Sequence, residues 1–230
     1  MSIMTTPTPL FTILPSAREP GDGVWFATPP GFLDLRLDAF VAPQGSPEAR
    51  IVAEAVTSAL AVAPDDIVRK AFAVQLTDAQ QMLRALRSEG TAHCSLGLHR
   101  DDSDGAENAP LLSLFTVTWL DAAWAPRRIT VGRAASGVEG HTNIEYAELG
   151  CGPVTFSEEL RTPSRDSGLL QKSLLQLHAY LAHPDGKTLV LLTLSTTALS
   201  HRENYRAILR QIATMTSFDS PLTNAASGVL

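Results

Sequence analysis

Apolar segments along the chain come in pairs around turn-forming residues, and within them apolar and polar positions follow the period of β-strands. Three antiparallel hairpins are predicted: residues 91–99 with 111–120, 141–149 with 154–160, and 169–182 with 188–197. The first has a polar, acidic tip at 101–108, and the last turns at Asp185-Gly186, a strong hairpin signal. Residues 189–194 are almost continuously apolar, which predicts a central strand buried on both faces.

Two shorter strands are predicted nearer the N-terminus, at 24–28 and 32–40, around the turn Pro29-Pro30-Gly31. In the second, Leu33, Leu35 and Leu37 alternate with Phe32 and polar residues, so Phe32 is assigned to the polar face.

Helical spacing of apolar residues predicts a helical block at 46–89, starting at the N-cap Ser46, and a closing helix that starts at a capping box, 200–203. Residues 121–135 are predicted as a helix of weak propensity, because alanines favour it and Pro126 disturbs it. The closing helix has its apolar stripe on one side and Arg202, Arg206 and Arg210, one turn apart, on the other.

Hairpins with helices before and after them, and no alternating βαβ rhythm, predict the α+β class: an antiparallel β-sheet flanked by helices. Residues 22–218 are predicted to form one domain. The proline-rich residues 1–21 and the small polar residues 219–230 are predicted to be flexible tails.

The order of elements resembles the Mog1/PsbP-like α/β/α sandwich, which includes small bacterial proteins of the DcrB and LpqN type. The resemblance rests on three phrases that together cover under a third of the chain: residues 23–32 (GVWFATPPGF), residues 184–196 (PDGKTLVLLTLST), and Tyr205 with the ending at 212–218. Members of this fold include photosystem assembly subunits, a nuclear transport factor that binds a small GTPase, and secretion-effector chaperones. The resemblance implies a non-catalytic binding or assembly role, by analogy of fold.

The formal net charge of −6 and the scattered basic residues disfavour nucleic-acid binding, because a phosphate backbone is anionic. No apolar run reaches the ~18 residues of a membrane span. The N-terminal residues lack the basic start of a signal peptide, and Cys94 and Cys151 match no metal or redox spacing, so a cytoplasmic location is expected.

No catalytic residue, metal site or cofactor is predicted. His141 and Glu145 share one strand face about 13 Å apart, too far for a single ion unless a ligand comes from elsewhere. His178 and His183 with Asp185 lack a third ligand in the sequence and are interpreted as polar residues associated with a turn.

The chain is therefore interpreted as a non-catalytic cytoplasmic binding module, in the form of a chaperone or adaptor for a bacterial secretion or assembly system. Its partner is expected to be another protein or a second copy of itself. Candidate binding residues are Trp124, Trp25, Arg206 and Arg210, because tryptophan and arginine are enriched where binding energy concentrates. Two alternatives stay open: a hydrolase whose residues converge only in three dimensions, and a self-associating structural component.

Overall fold

A computed structural model gives the arrangement of most of the predicted strands. It describes residues 23–35, 37, 42, 45–50, 53, 54, 57, 83–100, 110–162 and 173–219, without the side chains of 98–100 and 110. The predicted tails apart from Asp219, most of the helical block, and the acidic tip at 101–108 lie outside the described residues. None of the helices in the described ranges is long and apolar enough to cross a membrane.

The described strands form one seven-stranded antiparallel sheet in the order β1-β2-β3-β7-β6-β5-β4. Their bounds are β1 Phe32–Asp34, β2 Thr91–Arg100, β3 Pro110–Asp121, β4 Thr142–Leu149, β5 Gly152–Arg161, β6 Leu174–Ala182 and β7 Thr188–Thr196. The three predicted hairpins are confirmed as β2–β3, β4–β5 and β6–β7. The apolar strand β7 is central, as predicted, because it lies between β3 and β6.

Among the helices whose bounds the structure gives, two pack on opposite faces of the sheet: α1 (Arg127–Ser136) and α2 (Arg202–Thr214). Residues paired across antiparallel strands point to the same face, so the register separates the two sides. The α2 face holds the main core, with Phe115, Leu192 and Leu194 of the strands against Ile212 of the helix. The α1 face holds a smaller cluster around Val131 and, farther along, one around Cys94 and Leu83. The α+β class follows from this arrangement.

The closing turns use the residues that the sequence marks. Asp185 accepts hydrogen bonds from the backbone N–H groups of Lys187 (2.8 Å) and Thr188 (3.0 Å), and Gly186 has φ +70°. Gly90 opens β2 with φ +87°, and a Cβ at that position would lie 2.6 Å from the carbonyl oxygen of Trp119. The Ser46 hydroxyl accepts a hydrogen bond from the N–H of Ala49 at 3.1 Å, so its predicted capping role is confirmed.

The strand predicted at 32–40 is wrong at Leu35 and Leu37. Phe32–Asp34 is a strand, Leu35 lies outside it and Leu37 is helical, whereas residues 36 and 38–40 are not among the described residues. The assignment of faces also fails at its start, because Phe32 meets Phe115 edge to face at 6.2 Å while Leu33 is 54% exposed. Phe32 pairs with Gly97, which has no side chain and so leaves space for the ring. Residues 24–28 contribute an isolated bridge between Trp25 and Ser217 in place of the predicted strand.

Both helix starts predicted in the C-terminal half are wrong. The helix predicted at 121–135 begins at Arg127, because β3 continues to Asp121, which pairs with Thr188. The closing helix begins at Arg202 after a 3-10 turn, Leu199–His201, and has no side-chain cap. Its predicted capping glutamate, Glu203, pairs with Arg206 at 2.8 Å, so that carboxylate is directed along the helix surface.

His93 lies inside the α2 face with little access to water. Its side chain is 2% exposed, with Phe26 at 5.0 Å and Phe115 at 6.0 Å between ring centroids. The carboxylate of Asp34 lies 3.7 Å from His93 Nδ1. Burial lowers the pKa of His93 to about 4. The imidazole is therefore neutral in the folded protein near pH 7.

Candidate functional site

A groove runs beside α2 where the helix leaves part of the sheet open. α2 packs on β6 and β7, so the outer strands β5 and β4 extend beyond it. The cavity between them has a volume of about 590 Å³ and is called here the α2 groove. It is lined by apolar and charged side chains together: Ile144, Glu145, Phe156, Glu158, Leu177, Glu203, Arg206, Leu209 and Arg210, with Asn143, Ser157, His178 and Ala207 completing the wall.

A buried carboxylate anchors two arginines in this groove. Val154, Phe156 and Glu158 are alternate residues of β5 and point to the same face of the sheet, the α2 face, and the Glu158 side chain is 2% exposed. Arg202 and Arg206 each donate from Nε to Glu158 Oε2 at 2.9 Å, and the Arg206 Nη2 atom lies 2.7 Å from the same oxygen. The two guanidinium groups lie one helical turn apart, so they reach one carboxylate from the same side. A charge this deeply buried is tolerated because it is paired and hydrogen-bonded.

Asn143 supplies a third donor to this carboxylate, because the β4 backbone is irregular there. The register between β4 and β5 shifts between Thr142 and Glu145, and Asn143 has φ +50°. Asparagine tolerates this left-handed conformation better than most residues. The bulge re-aims the side chain, so the Asn143 amide donates to Glu158 Oε1.

Arg210 spans the groove at its outer end. Its guanidinium stacks over the ring of Phe156 at 4.5 Å and pairs with Glu145 on β4. Both partners of this ion pair are accessible, at 42% and 57% exposed. Arg210 therefore covers an apolar floor while it is held by a carboxylate that water also reaches.

The structure brings together only two of the four binding residues predicted from the sequence. Arg206 and Arg210 line the α2 groove, whereas Trp124 and Trp25 do not. Trp124 is 72% exposed, and its indole lies beside Gly186 in the β6–β7 turn. Trp25 is half-buried against the main core, and its backbone exchanges hydrogen bonds with Ser217. The binding roles of both tryptophans stay predictions.

A second group of chemically active side chains lies on the α1 face. His141, Glu159 and His178 place one ligating atom each within 4.8 Å of the others, and they are called here the histidine cluster. The two imidazole rings are stacked, with centroids 4.8 Å apart and planes 7° from parallel. Ser157 Oγ lies 2.9 Å from His141 Nδ1, and Thr193 Oγ1 lies 3.1 Å from His178 Nδ1.

Both imidazoles in the cluster are held in the neutral form. Burial lowers the pKa of His178 to about 3, and the neighbouring His141 and Arg161 add to the effect. Burial also lowers the pKa of His141, opposed by the negative charge of Glu159. Hydroxyl groups lie at both Nδ1 atoms, so each Nε2 atom is the ring nitrogen that remains for coordination when the hydroxyl accepts an Nδ1–H.

Ser157, His141 and Glu159 also follow the order of a nucleophile, a base and an acid. The Ser157 hydroxyl contacts His141 at 2.9 Å, and the Glu159 carboxylate lies 3.8 Å from the other ring nitrogen. Yet Ser157 is 4% exposed and the His141 side chain 2% exposed, so a substrate cannot reach the hydroxyl. The arrangement holds the His141 ring in place, but it does not support acyl transfer because a substrate has no access to the Ser157 hydroxyl.

The sequence did not reveal either group because both depend on pairing across strands. Ser157 is directly opposite His178 in the β5–β6 register, which brings that histidine near Glu159. His141 lies just before β4, and because of the irregular register there it does not share a face with Glu145 as predicted: Glu145 lines the α2 groove, whereas His141 lies on the α1 face. The usable signal in the sequence is Glu158, a carboxylate within an apolar strand, together with the arginines at helical spacing, two of which, Arg202 and Arg206, bind it.

No family model, curated protein or solved structure matches this chain. The resemblance to the Mog1/PsbP-like sandwich stays a prediction.

Proposed function

We propose that this chain is a non-catalytic binding module that holds a short segment of a protein partner in the α2 groove. The observation that carries the proposal is Arg210, which stacks on Phe156 and pairs with an exposed carboxylate at the mouth of a cavity of about 590 Å³. A volume of this size accommodates a few side chains of a partner.

The groove offers an apolar contact next to a cationic one. Ile144 is 48% exposed at the rim, and Phe156 and Leu177 form the floor beneath the Arg210 guanidinium. When the flat face of a guanidinium stacks on an aromatic ring, the N–H groups along the edge of the guanidinium remain available to bind an anion. The matching segment has an apolar side chain next to a carboxylate.

The ion pairs in the groove differ in how easily a partner can replace them. Glu158 is buried and held by three donors, so it stays in place. Glu145 and Glu203 are 57% and 77% exposed, and surface pairs of this kind contribute about 0–1 kcal/mol. A carboxylate from the partner can therefore replace Glu145 on Arg210 at small cost.

The test is a fluorescence-anisotropy titration with a labelled short peptide of alternating leucine and glutamate. We expect saturable binding to the full chain and a loss of about tenfold in affinity in Arg210→Gln, since one charge-assisted contact is removed. The matched control is Arg128→Gln. Arg128 is also an exposed arginine, paired with Glu148 of β4 at 2.7 Å, and it does not line the α2 groove.

Equal binding of a peptide with lysine in place of glutamate would contradict the proposal, because the groove would then show no preference for acid. A loss in Arg128→Gln as large as that in Arg210→Gln would contradict it as well.

The resemblance to the Mog1/PsbP-like sandwich supports a more specific version of this proposal, in which the chain is a chaperone or adaptor in a bacterial secretion or assembly system. The alternative occupant of the α2 groove is a second copy of the chain. Light scattering of the unmodified chain and of Arg210→Gln distinguishes the two cases, because a dimer that dissociates in the variant identifies a second copy as the partner.

A further inference from the structure

We propose that His141, His178 and Glu159 form a binding site for one divalent transition-metal ion, with Zn²⁺ as the expected occupant. Two imidazole nitrogens and one carboxylate oxygen are a common set of protein ligands for such ions. The three side chains lie on the α1 face of the sheet; His178 also borders the α2 groove, but the proposed site does not depend on the function proposed for that groove.

The strongest observation is a buried nitrogen in the cluster without a hydrogen-bond partner. His178 is 7% exposed, and its Nε2 atom has no such partner among the described residues. A buried polar atom normally has a partner, because leaving it unpaired forfeits its interaction with water. A metal ion bound at His178 Nε2 would satisfy this atom.

The surrounding residues prepare both imidazoles for coordination. Ser157 and Thr193 lie at the Nδ1 atoms at 2.9 and 3.1 Å, and as hydroxyl groups they can accept an Nδ1–H, which leaves the lone pair on Nε2 for a metal ion. Partners of this kind, on the far nitrogen of a ligating histidine, fix the ring and strengthen metal binding. Both hydroxyl groups come from the strands themselves, β5 and β7, so they are held by the sheet.

Coordination requires a modest local rearrangement. Donor atoms around one Zn²⁺ lie about 3.5 Å apart, so the present span of 4.8 Å has to contract by about 1 Å. The parallel rings have to turn so that both Nε2 lone pairs aim at one point. The Arg161 Nε atom, 2.9 Å from Glu159 Oε2, has to withdraw, and at 60% exposed that side chain has water to move into.

The ion class follows from the donor set. Two neutral imidazoles and a carboxylate suit Zn²⁺ and its first-row neighbours, whereas Mg²⁺ and Ca²⁺ prefer sets made wholly of oxygen. Three protein donors leave a fourth position for water.

The test is isothermal titration of untagged, chelator-treated full chain with Zn²⁺, together with the visible absorption of Co²⁺ in its place. We expect one ion per chain, an intense Co²⁺ spectrum typical of four or five ligands, and no comparable binding of Mg²⁺. His178→Gln and Glu159→Gln should each weaken binding at least tenfold. The matched control is His201→Gln, which removes a histidine from the 3-10 turn outside the cluster and should leave binding unchanged.

X-ray absorption of Zn²⁺ on the unmodified chain keeps the test decisive if the variants fold poorly. Two imidazoles in the first shell support the site. Failure of the unmodified chain to bind Zn²⁺ saturably, a first shell without imidazole, or binding by His178→Gln equal to that of the unmodified chain would each overturn it.

Discussion

Removing the two arginines that hold Glu158 should destabilise the protein far more than removing Glu158 itself. The Glu158 side chain is 2% exposed, whereas Arg202 is 44% and Arg206 is 30% exposed. In Arg202→Ala/Arg206→Ala the buried carboxylate keeps, of its partners in the described part of the chain, the Asn143 amide alone, and stranding a charge in this way costs about 3–5 kcal/mol. In Glu158→Leu the arginines turn into water and the leucine adjoins an apolar floor, so we expect a cost of about 1 kcal/mol.

Urea unfolding at pH 7, followed by far-UV circular dichroism, measures these free energies of unfolding. The decisive comparison adds Glu158→Leu to the arginine double variant. The triple variant should be more stable than the double variant by about 2–4 kcal/mol, since the stranded charge is gone. If the triple variant is no more stable than the double variant, or if Glu158→Leu alone costs as much as losing both arginines, the reasoning is wrong.

Three further outcomes are expected. Burial lowers the pKa of His93 to about 4, whereas the unfolded chain binds the same proton near pH 6.5, so the free energy of unfolding decreases as the pH is lowered through this window. Between pH 7 and pH 4 the unmodified chain should lose about 3 kcal/mol of stability that His93→Leu retains. Parallel pH profiles of the two proteins in urea unfolding would refute this. Burial and a nearby aspartate raise the pKa of Cys94 to about 12. A thiol reagent should therefore modify Cys151 alone in the folded chain and both cysteines in denaturant. Two rapidly modified thiols in the folded chain would contradict the burial of Cys94. Gly90→Ala should lower the free energy of unfolding in urea by at least about 2 kcal/mol, because φ is +87° and the new Cβ meets a backbone oxygen. Gly132→Ala, in open space on α1, should raise it by about 0.5–1 kcal/mol. Equal effects of the two substitutions would refute the argument.

The sequence was sufficient for the features that depend on local order. Strand alternation and the turn at Asp185 predicted the hairpins, and the unbroken apolar run at 189–194 predicted the central position of β7, because both signals are contained in contiguous residues. The face of Phe32 could not be predicted this way, since it depends on Gly97, which is distant in sequence and lies opposite Phe32 in the pairing of β1 with β2.

The candidate sites were predictable only in part. Arg206 was identified from its spacing on a helix, whereas its carboxylate partner Glu158 comes from a strand and was missed. The histidine cluster needs the register of β5 against β6 and a residue just outside β4. Register is set by the packing of whole strands, so a single sequence does not reveal which polar residues become neighbours.

The central position of β7 has a consequence for the order in which the chain can fold. Strands β1 to β3 and strands β4 to β6 are synthesised first, yet within the described sheet these two groups are joined only through β7. Until residues 188–196 leave the ribosome, β3 and β6 each expose an edge to which the strand of another chain could pair. A nascent or truncated chain that ends before Thr188 should therefore be the form most prone to aggregate, because β7, the last strand to be synthesised, completes the sheet in its middle.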